Sequence, residues 1–199
     1  MIVLIVSLLF LISFICIIYK IIRKYNDLSP ASLDSGDLIV SNVDLYKYQG
    51  LWYEVLRLPN YFEGRDCTNP TAIYTLNNNN TISIKNQCGI NNNISIKGTG
   101  YPLYPQLPLT NQIGRFKIYF ENVPIPGEYN IIYLDSNYQY AMVGTRDRDQ
   151  LWLLSRSKNI DTTELNKMLY VSKLYGYQTD RLIKSSNEII YGQVTDKKQ

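Results

Sequence analysis

Trp52, in Gly50-Leu51-Trp52-Tyr53, and Arg156, in Leu151-Trp152-Leu153-Leu154-Ser155-Arg156, stand at opposite ends of a strand-rich stretch. A guanidinium laid on an indole face gains cation–π attraction and can still donate hydrogen bonds to carbonyls, which would cork one end of a small barrel. Gly50 supplies the turn before the aromatic and β-branched run Trp52-Tyr53-Glu54-Val55-Leu56. Other reactive candidates are few. The chain has no histidine, which removes the usual imidazole base, the Ser-His and Cys-His nucleophile pairs, and the commonest zinc and haem ligand. One of the three cysteines lies in the N-terminal apolar run, leaving Cys67 and Cys88. There is no C-x-x-C, no P-loop and no G-x-G-x-x-G, and Gly98-Thr99-Gly100 leads into tyrosine and prolines rather than a helix. No metal, no cofactor and no enzymatic activity is expected.

Those residues must be positioned by a chain of 199 residues, enough for one domain and an appendage. The net charge of +3 comes from scattered basic residues, so no nucleic-acid partner is expected. Asn77 to Asn80 and Asn91 to Asn93 read as turn tips. Met1 to Tyr19 is almost wholly apolar and long enough to span a bilayer as a helix. No basic residue precedes it and no A-x-A follows it, which favours an uncleaved anchor over a secretory signal. The expected division is an anchor over 1–22, a flexible tether over 23–39, a folded domain over 40–184 and a tail over 185–199.

Within the folded part, short strands alternate with turns: Trp52–Leu58, Thr71–Leu76, Thr81–Asn86, Ile94–Gly100, Arg115–Phe120, Tyr129–Leu134, Tyr140–Thr145 and Leu151–Arg156. Eight such strands predict an all-β, up-and-down antiparallel barrel, a size that leaves room for one small ligand. One C-terminal helix follows. Asp161 and Glu164 form its N-terminal cap, Leu165, Met168, Leu169, Ser172 and Leu174 a partial apolar stripe, and Gly176 its stop. Glu188–Val194 reads as a possible extra strand.

The pairing of Gly50-x-Trp52 with Arg156 resembles the lipocalin family. Asn42 to Val55, Leu58-Pro59, Phe62-Glu63, Ala72-Ile73-Tyr74, Asn86 and Tyr133-Leu134-Asp135 narrow the likeness to the branch containing apolipoprotein D and the bacterial outer-membrane lipocalin. The resemblance covers about residues 42 to 183 and implies non-covalent carriage of a fatty acid, lysophospholipid or similar lipophile. Bacterial members anchor through a lipidated cysteine, a signal this chain lacks, so attachment rests on hydrophobicity alone.

Alternation along strands, combined with the family's inward-facing positions, gives an expected ligand-binding set. It comprises Leu56, Tyr74, Ile84, Asn86, Phe116, Ile118, Tyr129, Tyr133, Trp152 and Leu154, with Gly50, Trp52 and Arg156 as the structural motif. Gly98 and Gly100 leave the inner face of the fourth strand without bulk. Glu54 also points inward and should be paired. Folding the second and third strands about Asn78-Asn79 brings Cys67 nearly opposite residues 88 to 90, within reach of a disulfide. Lys20, Arg23 and Lys24 argue for a cytoplasmic domain; the disulfide and the family habit argue for the non-cytosolic side of a single-pass membrane protein, which is the expectation adopted. Two other functions remain open. One is an interaction module using the loops Tyr61–Arg65 and Tyr101–Leu109; the other is a lipid-modifying enzyme with Cys67 as its thiol.

Overall fold

The computed structural model describes residues 39–64 and 67–185, together with Ile17, Ile190 and the backbone of Tyr191. The chain divides into two units, Met1–Ser35 and Gly36–Gln199. Apart from Ile17 and Ile39, the expected anchor and tether lie outside the described residues. Among those that are described, no helix is long and apolar enough to cross a membrane.

A short helix, α1 (Leu45–Tyr48), leads into eight antiparallel strands. They are β1 (Gly50–Arg57), β2 (Thr71–Leu76), β3 (Ile82–Cys88), β4 (Ile94–Pro102), β5 (Arg115–Phe120), β6 (Gly127–Leu134), β7 (Tyr140–Gly144) and β8 (Leu151–Ser155). Each pairs with the next, and β8 returns to β1, so the sheet closes and leaves no exposed edge between first and last strand. The up-and-down barrel expected from the strand spacing is therefore the observed one. Asparagines occupy the left-handed turn positions that their side chains tolerate, among them Asn80, Asn91 and Asn92, with φ of 63°, 55° and 56°.

Two short strands, β9 (Asn159–Ile160) and, after the main helix, β10 (Ile183–Lys184), complete the domain with β11 (Ile190–Tyr191). β10 pairs with Leu56 and Arg57 of β1, while β2 pairs with Gly50 to Tyr53. β11 does fall within the expected tail strand, but it pairs in parallel with β9 rather than joining the barrel. The helix α2 (Thr162–Leu174) starts where expected, with the Asp161 carboxylate accepting from the backbone N–H of Thr163 and Glu164. Gly176, at φ 83°, ends it.

Two apolar clusters result. One fills the barrel around Trp52, Tyr74, Ile84, Phe116, Ile118, Ile131 and Leu154. The other binds α2 to the barrel's outer wall through Val55, Met142, Leu151, Leu153, Leu165 and Met168. Leu174, placed on the helix's apolar stripe, is instead 65% exposed.

Candidate functional site

The barrel's closed end is built around Trp52, which is fully buried. Its indole N–H donates to the Tyr48 carbonyl at 2.9 Å, and the Arg156 guanidinium lies 3.8 Å over its ring. Arg156 also donates to the carbonyls of Leu51, Tyr48, Gln49, Lys47 and Tyr138 at 2.7–3.3 Å. One cation thus ties α1, β1 and the β6–β7 turn together, and burial lowers its pKa. Gly50 adopts φ 100°, and a Cβ there would sit 3.2 Å from the Arg156 Nη1. The structure thus places Gly50, Trp52 and Arg156, expected as the structural motif, together at this end. The connection between β4 and β5, which holds most of the loop Tyr101–Leu109 considered for docking, also belongs to this floor. Its Leu109 and Gln112 carbonyls accept from Leu45 and Val43 beside α1.

Above the floor, Tyr74, Ile84, Phe116, Ile118 and Leu154 face the interior, with Tyr129 and Trp152 packed against them. Asn86 shares their face, since it lies opposite Ala72, and its side-chain oxygen is buried with no hydrogen-bond partner. Three tyrosines missing from one another's sequence neighbourhood meet here. The Tyr48 and Tyr129 hydroxyls are 2.7 Å apart, and Tyr129 donates to Tyr74 at 3.0 Å. Burial holds all three pKa values up, to about 12 for Tyr74, so the hydroxyls stay neutral. Ile82 and Gly100, both placed on inner strand faces by alternation, join this wall, as does Tyr48, which was not anticipated as lining. The spacing of Leu45 and Tyr48, three residues apart with Asp44 and Lys47 beside them, was the available signal for Tyr48.

The space between these side chains is small. The interior cavity, lined by Tyr48, Tyr74, Ile82, Ile84, Gly100, Phe116, Ile118 and Tyr129, has a volume of about 10 Å³, which is room for one water. Gly98 and Gly100 do lack inward bulk, but Phe120 and Ile118 fill what they leave: a Cβ would meet them at 2.7 and 3.2 Å.

Two expected lining residues face the other way. The register of β1 on β8 shifts between Glu54 and Leu56, so that Leu56 lies opposite Leu153 and packs under α2. The register of β6 on β7 shifts between Ile131 and Tyr133, so that Tyr133 lies opposite Met142. The Tyr133 hydroxyl donates to Glu164 of α2 at 2.8 Å. A bulge adds one residue to a strand and thereby inverts every later side chain, which strict alternation cannot anticipate.

The first bulge also turns Arg57 inward, opposite Trp152. Glu54 and Arg57 are each 6% exposed. The Arg57 Nε lies 3.3 Å from the Glu54 carboxylate and 2.5 Å from that of Glu63, which arrives from the β1–β2 loop. Trp152 donates its indole N–H to Glu63 at 3.1 Å, and the Phe62 ring sits 6.3 Å from the Trp152 ring. Two carboxylates, Glu54 buried and Glu63 partly so, share one guanidinium. Burial, and then the Glu63 charge, push the Glu54 pKa up to about 8; Ser185 and Arg57 oppose them. Glu54 was expected to need a partner and has one; Arg57 and Glu63 were not foreseen as a buried pair.

Cys67 and Cys88 are bonded, with Cα atoms 4.9 Å apart, pinning the β1–β2 loop to the end of β3. The thiol-dependent reading therefore loses its nucleophile. Among the described residues, no group of three or more Cys, Asp or Glu side chains converges as metal ligands would.

A family model for a lipocalin-like domain matches residues 43–187. A lipocalin-named protein, R877, of Acanthamoeba polyphaga mimivirus is 36% identical over 146 residues, covering 73% of this chain and 85% of that one. Outer membrane lipoprotein Blc of Escherichia coli K12 is 32% identical over 150 residues, covering 74% and 81%. Among solved structures, insecticyanin from the tobacco hornworm Manduca sexta superposes with a TM-score of 0.55 at 18% identity, covering 74% of this chain and 82% of that one.

Proposed function

The chain belongs to the lipocalin family, and we propose that it binds one small hydrophobic molecule non-covalently inside the barrel. The observation that carries this reading is the inner wall itself. Aromatic and aliphatic side chains surround a few polar groups, the three tyrosine hydroxyls and the unpartnered Asn86 oxygen, in a barrel corked at one end. In this reading Tyr74, Ile84, Asn86, Phe116, Ile118, Tyr129, Trp152 and Leu154 contact the ligand, a fatty acid, lysophospholipid or similar lipophile. A ligand of that size needs about 300 Å³ or more, so entry requires side chains around the cavity to move apart. Saturable change of tryptophan emission on titrating the full chain with a fluorescent fatty acid tests the reading. Unchanged emission with every lipid class would end it.

The small cavity favours a second reading, an interaction module whose loops dock another protein. Tyr61 and Phe62, 93% and 52% exposed, supply apolar surface at the mouth for such a partner. The same titration separates the two, since a permanently filled barrel takes up no lipid.

For location, the apolar run Met1 to Tyr19 supports a single-pass tether over 1–22, and the Cys67–Cys88 disulfide supports the non-cytosolic side for the barrel. The relative named as an outer membrane lipoprotein supports membrane association in general. Protease protection of the barrel in sealed vesicles of known orientation checks the side.

A further inference from the structure

Resting on the ligand-binding reading above, we propose that Phe62-Glu63 is a built-in occupant of the ligand's head-group subsite, displaced when a fatty-chain carboxylate takes Arg57. Phe62 and Glu63 are adjacent in the chain and reproduce the parts of such a ligand. The Glu63 carboxylate contacts Arg57 and accepts the Trp152 indole N–H, while the Phe62 ring lies against Trp152. A carboxylate next to apolar surface is also what an amphiphilic acid presents.

The charges favour exchange over simple addition. Arg57 is buried, and leaving it unpaired would be strongly unfavourable. Its guanidinium faces Glu54 from β1 and Glu63 from the loop, with Ser185 beside Glu54 after β10. Burial and the neighbouring carboxylate push Glu54 toward its protonated form, so the nearer Glu63 is the main partner of the single Arg57 charge. A ligand carboxylate arriving as Glu63 leaves keeps that pairing, whereas a neutral head group leaves Arg57 to Glu54, which must then ionise. The exchange breaks the Arg57–Glu63 ion pair and forms an equivalent one, with no proton transferred.

The loop is suited to leaving. Tyr61, Phe62 and Gly64 are exposed. Besides the ion pair and the indole bond, the Glu63 backbone carbonyl accepts from Arg57 at 3.2 Å and its N–H donates to Asn60 at 2.8 Å. Few buried apolar contacts hold Tyr61 to Gly64, and the disulfide fixes the loop only beyond them, at Cys67, so this stretch opens at low cost. Its departure uncovers Trp152, which packs against the barrel's inner cluster.

The test titrates the full chain with a twelve-carbon carboxylate and with the matching alcohol, following tryptophan emission at pH 7, in the wild type, E63Q and F62A. The expected result is carboxylate affinity at least tenfold above that of the alcohol. E63Q raises carboxylate affinity threefold or more and leaves the alcohol unchanged; F62A strengthens both. Equal affinities for acid and alcohol, or an E63Q protein that binds the acid no better, overturn the displacement while leaving barrel binding intact. If neither compound binds any of the three proteins, the ligand-binding reading itself fails. Should E63Q not fold, the acid-to-alcohol ratio in wild type and F62A decides alone.

Discussion

At the scale of single residues, the molecule concentrates its polar chemistry at the two ends of one barrel. At the floor, Arg156 combines one cation–π contact with several charge-assisted hydrogen bonds. Arg156→Ala is expected to cost about 2–4 kcal/mol and Trp52→Ala about 3–5 kcal/mol. Because the two share a contact, the double variant should lose clearly less than the sum in urea melts. Near the mouth, Glu54 sets a pH dependence. Its folded pKa, about 8, exceeds the ordinary 4.5, so between those values the folded state holds a proton that the unfolded chain releases. Stability from this group therefore falls as pH rises from about 4.5 to about 8, by up to about 1.4 kcal/mol per pH unit. Urea melts at pH 5 and pH 8 should show that decline in the wild type, and Glu54→Gln should flatten it; an unchanged slope in the variant would remove Glu54 as its source.

At the scale of elements, the strands were legible because alternation and turn residues mark them locally, and the observed β2 and β5 coincide with the expected Thr71–Leu76 and Arg115–Phe120. The helix was legible through Asp161, whose capping is a property of its own sequence. The bulges were not, because a one-residue register shift depends on the partner strand. Leu56 and Tyr133 were accordingly assigned inward, and Arg57 was missed. This difference is measurable. Leu56→Ala should destabilise the barrel–helix seam by about 2–5 kcal/mol with ligand affinity unchanged, while Ile118→Ala, inside the barrel, should alter affinity. An affinity loss in Leu56→Ala would contradict the observed register. Strand pairing brought the two cysteines within reach of a disulfide, and the structure bonds them. Reducing it should cost about 3 kcal/mol for a loop of this length, seen as a lower urea midpoint in reductant.

At the scale of the whole molecule, the Gly50-x-Trp52 and Arg156 pairing carried the family, because a closed barrel must bring its first and last strands together. How full the barrel is could not be read from composition: the same aromatic and aliphatic residues make either a core or a pocket. In the structure they close to a cavity of about 10 Å³, held by stacked Tyr48 and Tyr74 and their hydroxyl chain through Tyr129. A barrel that works as a carrier must exchange these contacts for contacts with its ligand. Native mass spectrometry of the full chain, mixed with a fatty-acid and lysophospholipid panel and released gently from detergent, reads that exchange directly. The account predicts a single lipid-sized adduct at one-to-one stoichiometry; a spectrum of bare protein across the whole panel would contradict it.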